Sequence, residues 1–175
     1  MLRTEVDISD FSSVVQALIR RGSDFRPAMR DIGEELHGSV MKNFAEQGRP
    51  EAWKKLALAT LIARYTRGNR ERRRKRRVFV GGGTGYTAGF TRALGKGKIL
   101  MDKGRLRGSI TWRAKRFSVA IGTNLVYSRV QNLGGDAGRG HKTKIPARPY
   151  LLIQDEDRRY IDDAVQDHLM DLRGV

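Results

Sequence analysis

The chain has 175 residues, no cysteine and a formal net charge of +16, with 35 Lys and Arg against 19 Asp and Glu. This length suits a single domain, and the absence of cysteine excludes disulfides and thiolate metal sites. No apolar run approaches the ~20 residues of a membrane span, and Met1 to Asp10 lacks the apolar core of a signal peptide, so we expect a protein made in the cytoplasm without a membrane partner.

The charge is divided along the chain. Residues 1–51 carry 7 basic and 9 acidic side chains, residues 52–153 carry 25 and 3, and residues 154–175 carry 3 and 7. A centre of +22 is therefore flanked by ends of −2 and −4. Such a division favours contact with a polyanion or with acidic neighbouring subunits.

Two helices are predicted at the N-terminus. Ser9 or Asp10 caps the first, and Gly22 ends it. The second begins near Arg26-Pro27 and stops around Gln47-Gly48, because proline is tolerated in a first turn. Apolar residues recur at helical spacing in both; they are Phe11, Val14, Val15, Leu18 and Ile19, then Met29, Ile32, Leu36, Val40 and Phe44. The break between them is short, which suggests an antiparallel pair.

A short third helix is predicted over Leu56 to Tyr65, after an aromatic anchor at Trp53. The stretch at about 66–98 then loses apolar periodicity, and we interpret it as a long, flexible basic insertion. Its charge is concentrated in Arg70, Arg72, Arg73, Arg74, Lys75, Arg76 and Arg77. These seven are candidates for contact with DNA phosphates or with an acidic partner. Gly81 to Gly85 lacks the Gly-Lys-Ser/Thr ending of a phosphate-binding loop.

The second half is predicted to be β-rich. Ser109 to Ala114 and Phe117 to Ile121 alternate between apolar and polar residues and are predicted to form a hairpin. We predict the start of a strand at Gly104 to Ile110, a turn at Gly122-Thr123-Asn124 and a short helical turn over Tyr127 to Leu133. Gly134 to Gly140 is expected to be a loop, and Ile145 to Leu152, with two prolines, an edge strand or extended segment. A last helix follows from about Asp155 to Leu172, with acids where the helix dipole favours them.

No catalytic constellation is visible. His37, His141 and His168 are far apart in sequence, and His168 falls on the apolar stripe of the last helix, which favours a packed core histidine. Asp155, Glu156 and Asp157 are adjacent and cannot all face one point on a helix. We therefore predict no catalytic residue, no cofactor and no metal.

Four segments together resemble the phage virion morphogenesis family, the tail-completion proteins of Mu-like and related long-tailed phages. Their order and spacing match from about Phe11 to Leu172. The first segment is the helix ending in Phe44, followed by Trp53 and a Leu-rich helix, and the second is Ile99-Leu100 followed by Gly104 to Ile110. The third is Ile121 to Asn124, followed by Tyr127 and by Gln131 to Gly135. The fourth is Ile145 to Leu151, followed by an acidic helix. The sequence departs from the family at Ser128, where alanine is frequent, and at Leu133, where an aromatic residue is frequent.

The resemblance implies a non-enzymatic structural protein of the virion, assembled in the host cytoplasm and placed in the tail-neck region. It implies a ring, expected to be hexameric, that contacts tail-tube and neck or connector proteins and lies near packaged DNA. The expected fold is a single α+β domain, residues 1–175, with an N-terminal helical pair and a C-terminal helix packed on a small antiparallel β-sheet. Arg148 and Tyr150 are candidate subunit contacts, and Arg148 is more readily a structural pin than a ligand-binding residue.

A different class of function also fits the charge. A standalone basic nucleic-acid-binding protein is the alternative interpretation, and it requires a readout motif, which the sequence does not contain. A basic nuclease requires clustered carboxylates or histidines, whereas the basic centre has only Glu71, Asp102 and Asp136 as acids.

Overall fold

A computed structural model describes residues 2–7, 24–67, 88–94 and 97–171. The predicted first helix and the basic cluster from Arg70 to Arg77 lie outside these ranges. So do the glycines from Gly81 to Gly85 and the end of the chain from Leu172. Within the described ranges, no helix is long and apolar enough to cross a membrane.

The described elements form an α+β fold, as the sequence predicts. The helices are α1 (Arg26–Glu46), α2 (Leu58–Thr66), α3 (Ala88–Leu94), α4 (Arg105–Gly108), α5 (Ser128–Leu133) and α6 (Asp155–Asp171), with a 3₁₀ turn at Arg139–His141. The strands are β1 (Leu2–Asp7), β2 (Thr111–Ala114), β3 (Ser118–Thr123), β4 (Gly135–Ala137) and β5 (Thr143–Ile145).

Helix α1 runs through the centre of the described core. Pro27 lies in its first turn, and the five apolar residues that predicted its buried face are at most 3% exposed. It ends at Gln47, which has a left-handed φ of 64°. Gly48 follows with φ 116°, and a Cβ there would lie 2.5 Å from the carbonyl oxygen of Glu51. The glycine thus lets the chain double back, which brings Trp53 onto Phe44 with ring centroids 5.8 Å apart.

The sheet has three antiparallel strands in the order β1-β3-β2. Strands β2 and β3 confirm the predicted hairpin, with Trp112 opposite Ile121. Strand β1, which was not predicted, pairs with the other edge of β3 and places Leu2 opposite Thr123. Helix α1 packs across one face of the sheet, where Gly33 makes room for the Trp112 ring, since a Cβ on Gly33 would lie 2.3 Å from a ring carbon.

Helix α6 packs against α1 and buries Asp157, Ile161 and Val165. His168 lies at the end of this contact, half-buried. Its ring stands edge-on to Phe25 at 4.9 Å, and a ring nitrogen is 2.9 Å from the carbonyl oxygen of Asp24. The expected packing of His168 against the core is therefore confirmed.

Several local predictions were wrong. Gly104 to Ile110 contains the helical turn α4 instead of the start of a strand, and Gly122 and Thr123 lie in β3 instead of a turn. The loop expected over Gly134 to Gly140 holds β4, which pairs with β5. The insertion expected at about 66–98 lies mostly outside the described residues and stays a prediction. Its described part includes α3, where the ring centroids of Phe90 and Tyr65 are 5.4 Å apart.

Candidate interaction surface

The segment from Arg148 to Leu151 is held by hydrogen bonds from helix α5. The Arg148 N–H donates to the carbonyl of Gln131 at 3.0 Å. The side-chain oxygen of Asn132 accepts the backbone N–H groups of Tyr150 and Leu151 at 2.9 and 3.0 Å. One buried asparagine therefore satisfies two peptide groups that no strand partner reaches.

The same segment is held from the opposite side by α1 and the turn after it. The Asn43 amide donates to the carbonyl of Tyr150 at 3.0 Å, and the Trp53 indole donates to the carbonyl of Pro149 at 3.0 Å. The Tyr150 ring also packs on Phe44, with centroids 5.3 Å apart. The extended segment is thus fixed on both sides by side chains far from it in sequence.

Tyr150 itself is completely buried. Its hydroxyl donates to the carbonyl of Ser128 at 3.2 Å, and burial raises the pKa of Tyr150 to about 12. The structure gives Tyr150 a role inside the subunit. The contact with another subunit stays a prediction.

Arg49 and Asp157 extend this network to helix α6. The Arg49 guanidinium donates to Asn43 Oδ1 at 2.9 Å and to Ser39 Oγ at 2.8 Å, and it pairs with Glu156. Asp157, 2% exposed, accepts the Ser39 hydroxyl at 3.0 Å and the Gln154 N–H at 2.7 Å. Asp157, the third residue of α6, therefore satisfies the N–H of the residue before the helix and joins α6 to α1. The sequence predicts only an interaction of Asp157 with the helix dipole.

Arg148 is the buried cation of this surface. It is 6% exposed, and its Nε donates to the carbonyl of Lys54 at 3.1 Å. Among the described residues no carboxylate reaches it, and burial, with the Arg64 guanidinium nearby, lowers its pKa. This confirms that Arg148 pins one segment to another. The prediction that it contacts another subunit remains untested.

Arg148 lies at the bottom of an open cleft of about 620 Å³. The cleft is bounded by α2 and the segment before it, the turn leading into α4, the start of α5, and β5 with the residues that follow. Its lining includes seven basic side chains, which are Lys55, Arg64, Arg67, Lys103, Arg105, Lys144 and Arg148. Asp102 is the one acid among the lining residues, so the formal charge of the lining is +6.

Asp102 neutralises only part of this surface. It forms ion pairs with Arg67 and, at 3.8 Å, with Arg64. Lys55, Lys103 and Lys144 are exposed on the rim, and apolar side chains such as Leu56, Leu106 and Pro146 complete the lining. The cleft can therefore bind a segment that carries both carboxylates and an apolar side chain. Across the described ranges, no group of His, Asp and Glu is arranged to hold a metal ion.

The profile of the phage virion morphogenesis family matches residues 6–84 and 83–170, which is most of the chain. The chain belongs to this family. It is also 28% identical over 169 residues, 96% of each chain, to the Mu-like prophage FluMu G protein 2 of Haemophilus influenzae. No solved structure matches significantly.

As a member of the phage virion morphogenesis family, the chain is a structural protein that takes part in building the phage particle in the host. The resemblance found in the sequence is thereby confirmed. The four segments that carried it meet in the structure. Phe44 and Trp53, Ile99 and Leu106, and Ile121 lie in one apolar core with Tyr150, and Asn132 binds the backbone of the last segment.

The sequence pointed to Arg148 but not to most of its surroundings. Asn43 and Ser39 carried a usable signal, because they are polar residues four apart on the buried side of a predicted helix, and such residues need partners. The lysines of the cleft rim gave no signal in the sequence, because they come from separate elements that only the fold brings together. The basic cluster from Arg70 to Arg77 lies outside the described residues, and its contact with DNA or an acidic partner stays a prediction.

Proposed function

We propose that this chain is a tail-completion subunit, a tail terminator or head–tail joining protein that forms a closed ring in the neck of a long-tailed phage. The family match over most of the chain carries the proposal. From the resemblance, we propose that the ring has six subunits and that it contacts tail-tube and connector proteins.

The distribution of charge supports a ring. Closed rings arise from contacts between two different surfaces of the same subunit. This subunit has a basic cleft of formal charge +6 that its own described residues leave largely unneutralised, and its last 22 residues carry 7 acids against 3 bases. One subunit therefore offers a basic cleft and an acidic C-terminal segment.

The proposed role is structural and without catalysis. The family is one of virion morphogenesis, and the buried polar side chains of Ser39, Asn43, Asn132 and Asp157 hold segments of the described chain together. Pure protein incubated with duplex DNA, single strands and nucleotides in Mg²⁺ or Mn²⁺ should give no turnover. Cleavage that copurifies with the protein and disappears on changing one carboxylate would contradict this.

Two measurements test the ring. Electron microscopy of lysates from a phage lacking this gene should show complete heads and tails that fail to join, or tails of uncontrolled length. The mass of the protein, pure or released from virions, should be that of a closed oligomer. A monomer in both preparations, together with normal particles from the deletion phage, would refute the proposal.

Contact with packaged DNA is the more specific part of the proposal. It rests on the seven basic residues from Arg70 to Arg77 and on the central charge of +22. If the protein instead works as a standalone nucleic-acid-binding protein, it should be absent from purified virions and bind duplex DNA as a monomer.

A further inference from the structure

Helix α6 carries a row of exposed acids that have no ion-pair partner among the described residues. Asp163, Asp167 and Asp171 are exposed and four residues apart, so they lie on one side of the helix over about 12 Å, at ~1.5 Å per residue. Like charges at this spacing destabilise a helix. None of the three forms an ion pair with a described residue, even though Arg159 lies one turn before Asp163.

An exposed apolar side chain lies beside this acidic row. Met170 is 63% exposed and stands three residues after Asp167 and one before Asp171. A surface that combines carboxylates with an unbranched apolar side chain is suited to a partner with cations and an apolar lining. We call Asp163, Asp167, Asp171 and Met170 the acidic row.

The basic cleft has the matching chemistry. Lys55, Lys103 and Lys144 stand on its rim, and Leu56 and Pro146 supply apolar lining. Arg148 lies deeper and has N–H donors with no acceptor among the described residues. A buried cation is costly unless it is paired, so a carboxylate entering the cleft would relieve this cost.

The depth of Arg148 favours a protein side chain over a nucleic-acid backbone. At 6% exposure, its guanidinium can be reached by a single carboxylate on a narrow stem. The phosphates of a duplex lie on a wide, stiff cylinder, so we expect them to contact the rim lysines more readily than Arg148. Burial of Arg148 therefore favours an acidic protein segment as the occupant of the cleft.

We propose that the acidic row of α6 on one subunit docks into the basic cleft of a second copy of this chain. The inference rests on the proposed ring and names the surfaces that close it. The two surfaces are different, so the contact is head-to-tail and repeats from one subunit to the next until the ring closes.

Two neutralised full-length variants test the contact. The first removes the row with Asp163→Asn, Asp167→Asn and Asp171→Asn. The second removes the rim charge with Lys55→Gln, Lys103→Gln and Lys144→Gln. Each variant alone should be monomeric at concentrations where the unchanged protein is a closed oligomer. An equimolar mixture should give a 1:1 dimer and no larger species, because only one productive interface remains. Mass photometry or native mass spectrometry reads this out.

Charge-matched controls separate docking from general electrostatics. The exposed bases Arg113, Lys115 and Arg129 lie outside the cleft lining, and changing all three to Gln should leave the oligomer intact. The control for the acidic row changes three exposed acids on α1, Asp31, Glu34 and Glu46, to Asn or Gln. This variant should also leave the oligomer intact. Circular dichroism and a melting curve confirm that every variant is folded.

The outcomes distinguish this inference from the ring itself. If the unchanged protein forms a closed oligomer and both neutralised variants form it equally well, the ring stands and the cleft–row contact is wrong. If rim neutralisation spares the oligomer but lowers affinity for duplex DNA, the cleft is a nucleic-acid surface. If the unchanged protein is monomeric in solution and in particles, and cross-linking of the mixed variants yields no dimer, both proposals fail.

Discussion

The side-chain amide of Asn43 donates a hydrogen bond of 3.0 Å to the backbone carbonyl of Tyr150, 107 residues later in the chain. Asn132 holds the N–H of the same residue at 2.9 Å. Two asparagines on different helices therefore satisfy both backbone polar groups of one buried tyrosine.

Replacing Asn43 by Ala should lower the free energy of unfolding by about 1–3 kcal/mol, because the Tyr150 carbonyl and the Arg49 guanidinium each lose a partner in a buried site. Urea unfolding followed by circular dichroism measures this. Glu46→Ala, an exposed change on the same helix, should stay within about 0.5 kcal/mol. Equal effects from the two substitutions would contradict the role given to Asn43.

Two glycines of α1 should respond to alanine in opposite directions. At Gly33 the added Cβ lies 2.3 Å from the Trp112 ring, so Gly33→Ala should destabilise the protein by about 1–3 kcal/mol through overpacking. At Gly38 nothing lies within 4 Å of the added Cβ. Gly38→Ala should therefore stabilise the helix by about 0.5–1 kcal/mol. Thermal melts of both variants give the comparison, and a stable Gly33→Ala protein would show that Trp112 moves freely.

Tyr150 should weaken the fold at alkaline pH. Its pKa is raised from 10.0 to about 12 in the folded chain, so between these values the unfolded chain binds fewer protons than the folded one. The stabilisation is complete below pH 10 and is lost as the pH rises to about 12, an effect on the order of 1–3 kcal/mol.

Tyr150→Phe provides the control for this pH dependence. The variant loses the hydrogen bond to Ser128 and should be less stable at pH 8 by about 1 kcal/mol. Its disadvantage should shrink between pH 10 and 12, because phenylalanine does not ionise. A constant difference between the two proteins over that range would show that Tyr150 titrates normally.

The basic cluster should act on DNA and not on folding. Changing Arg72, Arg73, Arg74, Arg76 and Arg77 to Ser should alter stability by less than about 0.5 kcal/mol each, as surface changes usually do. If these residues bind duplex phosphates, the slope of log affinity against log salt should shrink by about 0.9 for each phosphate that is no longer neutralised. Infectious particles assembled at the normal rate, with an unchanged salt slope, would show that the cluster has no such role.

The local spacing of apolar residues predicts the helices and strands of this fold better than it predicts which of them pack or pair together. Helix α1 was predictable because its apolar residues recur at one spacing and Pro27 and Gly48 mark its ends. At Gly104 to Ile110 the pattern is ambiguous, because Leu106 and Ile110 are four residues apart, a spacing that suits both a strand and a helix. Strand β1 is an edge strand whose partner lies more than 110 residues away, so nothing local distinguishes it.

The candidate surface is less predictable than the fold for a related reason. Arg148 stands out in sequence because two prolines flank it at Pro146 and Pro149. Its isolation from acids and its place at the bottom of a cleft depend on segments between Lys55 and Lys144 that meet only after folding. Charge counted along the chain predicts that a basic surface exists, but not which side chains form it.

The hydrogen bond between Asn43 and Tyr150 also implies a delay during synthesis, because it cannot form until the ribosome has added Tyr150. A ribosome that adds roughly 5–20 residues per second needs on the order of 5–20 s to make the intervening chain. Until then the apolar face of α1 lacks Tyr150, Ile161 and Val165, and the nascent chain is open to aggregation and proteases. A fragment that ends before Tyr150 leaves the apolar face of α1 uncovered, so we expect only chains that extend through α6 to complete the core.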